Sequence, residues 1–273
     1  MHRIIKENRG LTLLELLVAL AISAVVIAAI YRTFLGQQKT YTVQEQVVDM
    51  RQNVRGAISN MMRELRMTGF GCVAALLPIS IGGNTYQNVI NRDRPGTGWI
   101  TVVTALTSSS STVTATVSTT PPRIAVSSLT DTNGTVLFDT NMKKYISIGG
   151  VESNMITSID TANNILTLRD RLVYRHPANT RVYPVRAISY RAGVRNENTG
   201  GGAQPTAENI ESVQFEYLDA EGNPTVSDTA VQMIRVRITA KTDIADPQYK
   251  SGDGYRRREI SSNIQLRNVI ISP

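Results

Sequence analysis

An uninterrupted apolar run near the N-terminus constrains the fold of this chain more than any other feature. From Leu11 to Ile30 only Thr12, Glu15 and Ser23 are polar, and neither proline nor glycine interrupts the run. Twenty helical residues rise about 30 Å, which is enough to cross the hydrocarbon core of a bilayer. The sequence therefore predicts an N-terminal helix, residues 11–30, that can span a membrane.

Three basic residues precede the run and predict its orientation. Arg3, Lys6 and Arg9 lie within the first ten residues. Positive charge next to a membrane-spanning helix stays on the cytoplasmic side. We therefore expect a single pass through the inner membrane, with the N-terminus cytoplasmic and the rest of the chain outside.

Glu15 distinguishes three interpretations of this segment. A secretory signal peptide would be cut after the apolar run at small residues, but the candidate site, residues 19–21, lies in the middle of the run. A plain membrane anchor leaves Glu15 unexplained, because carboxylates in membrane helices are rare and mark function. The third interpretation rests on the residues that surround this glutamate.

The segment Gly10-Leu11-Thr12-Leu13-Leu14-Glu15 resembles the class III leader of type IV pilins and type II secretion pseudopilins. The resemblance implies that residues 1–10 are a leader, which a prepilin peptidase removes by cutting between Gly10 and Leu11. It also implies methylation of the new amine of Leu11. The family usually has phenylalanine at this position, so the leucine is a departure from its pattern.

The same resemblance implies that Glu15 guides the docking of subunits. The residue lies four positions after the cut, about 6 Å below the mature N-terminus. A charge in the middle of a membrane costs about 2.5–3.5 kcal/mol on insertion scales. Among packed helices Glu15 would therefore need a cation, and the cleaved amine of Leu11 from a neighbouring subunit supplies one.

The helix is expected to continue as an amphipathic segment over residues 31–70. Apolar residues recur at helical spacing and form one stripe, which consists of Val43, Val47, Met50, Val54, Ile58, Met61 and Leu65. Charged residues are expected mostly on the other side, among them Arg63 and Glu64. The glycines of residues 67–72 can end the helix with a left-handed cap. We expect the stripe to pack on a sheet.

After Pro78 the sequence takes on β character, and residues 71–273 predict a β-rich domain. Alternating or β-branched runs predict strands at residues 99–103, 112–118, 145–148, 155–160, 165–169, 180–190, 210–218, 231–239 and 259–266. Residues 108–111 and 119–122 are interpreted as solvated loops. The fold class is therefore α+β, a long helix on antiparallel sheet, with two sheets possible over about 71–175 and 176–273.

Two further segments resemble the PilW family of minor pilins. One covers residues 44–72, and the other is the Ser-Asn-Ile-Gln-Leu-Arg-Asn run at residues 262–268. This resemblance implies a role in priming or capping a pilus, with possible adhesion.

The remaining sequence gives little reason to expect catalysis, a metal or a cofactor. The histidines are His2 and His176, and the only cysteine is Cys72, so neither a catalytic triad nor a zinc cluster is indicated. Calcium is conceivable at residues 219–223, but a hairpin turn is the preferred interpretation. A second conceivable calcium loop spans residues 243–253.

The sequence thus predicts a minor pilin of a type IV pilus. The expected partners are the prepilin peptidase, the major pilin, other minor pilins and the inner-membrane assembly machinery, and the expected final location is the cell surface. A J-type pseudopilin and an ordinary secreted β-rich binding protein or enzyme remain alternatives. The net charge of +7 could indicate nucleic acid, but the basic residues are dispersed except at residues 256–258, so nucleic acid is not expected.

Overall fold

A computed structural model describes most of the chain after the predicted leader. The described residues are 12–72, 79–81, 84–86, 88–92, 99–115, 118–119, 122–191, 193–197, 202–227, 230–246, 249–250 and 252–269. They form one long helix and antiparallel sheets, so the predicted α+β class is confirmed.

The helix α1 spans Leu13–Arg66 and has 54 residues. Thr12 is its N-cap, and the backbone leaves the helix at Met67. The sequence predicted that the helix would end at about residue 70. Residues 67–72 form a turn instead, in which Gly69 and Gly71 have positive φ angles.

Sixteen strands follow the helix within the described residues. They are β1 (Ile79–Ile81), β2 (Asn84–Tyr86), β3 (Ile90–Arg92), β4 (Trp99–Ala105), β5 (Ser111–Thr112), β6 (Ser118–Thr119), β7 (Pro122–Ala125), β8 (Tyr145–Ile148), β9 (Glu152–Asp160), β10 (Ile165–Leu168), β11 (Arg181–Arg191), β12 (Val194–Glu197), β13 (Gly202–Pro205), β14 (Ile210–Leu218), β15 (Met233–Lys241) and β16 (Arg257–Gln265).

Among the described strands, eleven form one sheet and three form another, while β1 and β2 make a separate hairpin. The large sheet has the order β13-β12-β11-β8-β9-β10-β7-β6. In addition, β4 and β5 both pair with β11, and β3 pairs with β4. The small sheet has the order β14-β15-β16. The sheets therefore divide after β13 and not near residue 176 as suggested from the sequence.

The long strand β11 explains why that boundary was misplaced. Its first residues pair with β5 and β8, and its last residues pair with β4 and β12. One strand thus joins partners from before and after residue 176. Pairing partners so distant in sequence leave no local signal, because strand periodicity reports burial and not the identity of the neighbour.

Most predicted strands are confirmed with ends shifted by a few residues, but residues 112–118 are not one strand. β5 ends at Thr112, and β6 begins at Ser118. Thr119 and Pro122 are also strand residues, paired with each other, so the loop expected over residues 119–122 is contradicted at both of its end residues. Short strands rich in serine and threonine lack the apolar alternation that identifies longer ones.

The buried side chains form three clusters. The first lies between the second half of α1, the small sheet and the inner face of β3, β4 and the end of β11. The second lies among β7 to β11 and the loops that cover them, and the third surrounds Cys72, Tyr86 and Val103. The helix therefore belongs to the core of the domain over its second half only.

Candidate functional site

The first turn of α1 is held by a reciprocal capping box. The backbone N–H of Thr12 donates to Glu15 Oε2 at 2.8 Å, and the Thr12 hydroxyl donates to the same oxygen at 3.0 Å. In return, the backbone N–H of Glu15 donates to Thr12 Oγ1 at 3.3 Å. Such a box satisfies two donors that a helix start leaves unpaired.

Within the described part of the chain, Glu15 has hydrogen-bond partners only on Thr12. Both of its acceptor contacts use Oε2, so Oε1 accepts no hydrogen bond from a described residue. Gly10 and Leu11, the predicted cleavage pair, lie outside the described residues. The structure therefore locates the predicted docking carboxylate at the helix start, exposed and with Oε1 unpaired among the described residues.

The capping function of Glu15 was not predicted, although the sequence contains its signal. Threonine followed three residues later by glutamate, just before an apolar run, is the capping-box signature. Thr12-Leu13-Leu14-Glu15 fits it. Glu15 therefore has a local structural role beside the one implied by the family resemblance.

The first half of α1 is apolar and entirely exposed. Its large side chains extend from Leu13, which is 81% exposed, to Phe34, which is 59% exposed. This part of the helix is long and apolar enough to cross a membrane, and none of its most apolar stretch is buried within the protein. Leaving each such side chain in water costs about 1.5–3 kcal/mol relative to burial. The segment therefore requires an apolar environment that the domain does not supply.

The predicted stripe on the second half of α1 faces the domain. Five of its members are buried, namely Met50, Val54, Ile58, Met61 and Leu65. Val43 and Val47 are half-buried. Ala57 is also buried, although it was not assigned to the stripe. The helix contacts β15 and β16 here.

The turn after α1 is hydrogen-bonded to the large sheet and the C-terminal segment. The Gly69 N–H donates to the Val103 carbonyl at 2.9 Å, and the Thr104 hydroxyl donates to the Met67 carbonyl at 2.6 Å. The Asn268 side-chain amide donates to the Arg66 carbonyl at 3.4 Å. A Cβ on Gly69 would overlap the backbone carbonyl of Asn268. These contacts fix the direction in which the helix leaves the domain.

Glu64 lies in a tertiary charge network, which corrects its expected place on the solvent side of the helix. Arg195 Nη2 lies 2.8 Å from Glu64 Oε1, and the Tyr190 hydroxyl also donates to Glu64. Hydrogen bonds to Glu64 raise the pKa of Arg195, while burial raises the pKa of Tyr190. Arg195 is 131 residues away from Glu64, so helical periodicity could not reveal this pairing.

Three of the carboxylates considered for calcium have other partners. Asp219 Oδ1 accepts from the Asn223 N–H at 2.8 Å, as in the predicted hairpin turn. Asp246 pairs with Arg256 at 2.7 Å, and Asp253 pairs with Arg257 at 2.7 Å. Hydrogen bonds from Arg257 hold the pKa of Asp253 well below its usual range. Across the described residues, no three histidine, cysteine or acidic side chains form a group that could hold a metal.

The remaining histidine and the cysteine are buried. His176 Nε2 lies 2.9 Å from Glu152 Oε2, and Glu152 also accepts the N–H of Val173 and of Tyr174. This pair secures the loop before β11. Burial raises the pKa of Cys72 to about 12, which disfavours the reactive thiolate.

Comparison with known proteins locates one match. Residues 5–31 match the family described as "Prokaryotic N-terminal methylation motif". The match covers Lys6 and Arg9 of the basic start, the Gly10–Leu11 pair, the capping box and most of the exposed apolar half. It supports a type IV pilin-like or pseudopilin role, processing by a prepilin peptidase and membrane anchoring before assembly. Comparisons with curated proteins and with solved structures give no match.

Proposed function

We propose that this chain is a minor pilin of a type IV pilus, which polymerises through the first half of α1 and primes or caps the filament. One observation carries the proposal. A single helix is buried in the domain over its second half and wholly exposed over its apolar first half, where the methylation motif lies. A membrane provides the apolar environment of that half before assembly, and packed helices of other subunits provide it afterwards.

Cleavage between Gly10 and Leu11 follows from this proposal, as does methylation of the amine of Leu11. The leader remains cytoplasmic, and the domain lies outside the inner membrane until the subunit enters the filament. The partners are the prepilin peptidase, the major pilin, other minor pilins and the inner-membrane machinery. The role of this chain is assembly and not catalysis.

The first turn suggests how Glu15 acts in docking. Oε2 stays with Thr12 and keeps the helix start formed. We assign Oε1 to the amine of Leu11 from a neighbouring subunit. Because a methylated amine keeps its charge, the contact is a charge-assisted hydrogen bond, which is stronger than a neutral one.

Assignment to a minor pilin rests on the PilW-like segments. The helix end and residues 262–268 contact each other through Arg66, Gly69 and Asn268. Their contact supports treating the two segments as one structural unit. The size of the β-rich domain supports a tip or priming position, where space is not limited by identical neighbours.

The N-terminal sequence of the native protein tests the processing step. Mass spectrometry is expected to find a mature chain that begins at methylated Leu11. A chain that begins beyond about residue 21 would identify an ordinary signal peptide and overturn the proposal.

A pair of isosteric variants tests docking. Glu15→Gln removes the charge but keeps a capping-box residue, because glutamine serves at this position as well as glutamate. We expect it to insert and fold normally but to be lost from purified filaments. Glu45→Gln, an exposed change on the same helix, should assemble normally.

Deletion of the gene should abolish surface filaments, whereas loss of protein export with filaments intact would identify a pseudopilin.

A further inference from the structure

The large sheet carries a trough, with polar and apolar lining residues, on the face that points away from α1. Cross-strand partners from five adjacent strands form one row across this face: Asn91 of β3, Thr101 of β4, Ser189 of β11, Asn196 of β12 and Ala203 of β13. Residues of opposite parity, such as Ile100 and Tyr190, face the helix side instead. The row is therefore the floor of a separate surface.

An aromatic ring and a cation stand at one end of the floor. Trp99 and Arg191 are cross-strand partners in the next row on the same face. The guanidinium of Arg191 lies 5.0 Å from the centre of the Trp99 ring, a cation–π distance. In the described part of the chain, no carboxylate pairs with Arg191 or lines the trough.

The β1–β2 hairpin makes the surface concave. Asn84, Thr85 and Tyr86 of β2 form a wall beside the floor. The trough has a volume of about 750 Å³, which is within the range of about 300–1,000 Å³ that is usual for ligand sites. Asn84 and Asn196 are exposed to solvent in it.

We propose that this trough binds an acidic oligosaccharide. Sugar hydroxyl groups both donate and accept hydrogen bonds, as do the amides of Asn84 and Asn196 and the hydroxyl of Ser189. An aromatic ring such as Trp99 supplies an apolar surface with a polar edge. The guanidinium of Arg191, beside that ring, presents paired donors that match a carboxylate. A sugar acid combines all three requirements.

Two other ligand classes fit less well. Peptides that add a strand need an exposed sheet edge, whereas this trough lies on a sheet face. Nucleic acids are bound by several cations that neutralise phosphates, whereas the lining contributed by described residues contains two, Arg191 and Arg92. Arg92, at the rim, already donates to the Thr225 carbonyl at 3.1 Å and stacks on Tyr217.

Titration calorimetry on the purified full chain in detergent micelles tests the proposal with a matched ligand pair. A β-1,4-linked trisaccharide of mannuronic acid is expected to bind at least tenfold more tightly than the mannose trisaccharide of the same linkage. Equal binding of the two sugars, or no binding at millimolar concentration, would overturn the proposal. So would tighter binding of a four-residue oligothymidylate, which would indicate a nucleic-acid surface.

Three variants place the binding in the trough. Arg191→Ala and Trp99→Ala should each weaken binding of the acidic sugar at least tenfold. Asn196→Asp adds a carboxylate diagonal to Arg191 with little change in shape. This variant should weaken binding of the acidic trisaccharide more than binding of the neutral one. Arg171→Ala, an exposed change outside the trough, should have no effect.

The outcome is independent of the proposed pilus role, because binding is measured on the isolated chain. Thermal unfolding of each variant separates a lost ligand contact from a damaged fold. Undiminished binding in the folded Arg191→Ala and Trp99→Ala variants would place the ligand elsewhere and refute the assignment.

Discussion

The two halves of α1 are continuous in backbone but opposite in environment. The first half exposes nearly every large apolar side chain, whereas the second half buries a stripe from Met50 to Leu65. The halves also differ in their glutamates, since among the described residues Glu15 bonds to Thr12 of its own turn, whereas Glu64 bonds to Arg195 across the fold. The comparison teaches that one helix can serve two functions when only part of it has a partner in its own domain.

The largest expected difference comes from truncating one leucine in each half. Leu65→Ala should lower the free energy of unfolding by about 2–5 kcal/mol, because it leaves a cavity in a closed core. Leu17→Ala, at a side chain that is 56% exposed, should change it by less than about 0.5 kcal/mol. Urea unfolding in micelles, followed by the fluorescence of Trp99, measures both. Equal losses would mean that the first half also packs on the domain.

Two glycines at the buried end should respond with opposite signs. Gly69→Ala should lower the free energy of unfolding by at least about 2 kcal/mol. A left-handed backbone alone costs a residue with a Cβ about 1–2 kcal/mol, and the added Cβ would also overlap the Asn268 carbonyl. Gly56→Ala, within the helix and with nothing nearby, should stabilise by about 0.5–1 kcal/mol. Melting temperatures that shift in the same direction would contradict this account of the helix end.

The glutamates sharpen the comparison further. Glu64→Gln should destabilise the domain by about 1.5–3 kcal/mol, the usual range for a hydrogen bond to a charged group. Glu45→Gln, exposed on the same helix, serves as the control and should change stability by less than about 0.5 kcal/mol. A double-mutant cycle with Arg195→Ala isolates the pair, and a coupling energy near zero would show that the network does not clamp the helix.

The smallest effect concerns chemical reactivity and not stability. Native Cys72 should resist thiol reagents at pH 8, because burial raises its pKa to about 12 and only the thiolate reacts. A thiol introduced by Tyr41→Cys, at a site that is 73% exposed, should react rapidly. Above about pH 9 the unfolded chain loses a Cys72 proton that the folded chain keeps, so the domain should become slightly less stable as pH rises. Rapid labelling of native Cys72 would argue that the helix end opens.

The sequence specified the helix and its division into two halves. Local patterns carry this information, since an unbroken apolar run, an apolar stripe at helical spacing and a capping signature each lie within a few turns. Thr12 and Glu15 could have been assigned as a capping box from the sequence alone, and the longer strands were located to within a few residues.

Only the tertiary structure decided which residues meet across the fold. It joined Glu64 to Arg195 and Tyr190, and it brought the backbone of Asn268 against Gly69. It also placed β11 in the large sheet, together with strands from before residue 176. It also aligned polar residues from four adjacent strands beside Trp99 and Arg191. The physical reason is that side-chain periodicity records which face of an element is buried, whereas strand order and long-range pairs depend on how the whole chain closes its cores.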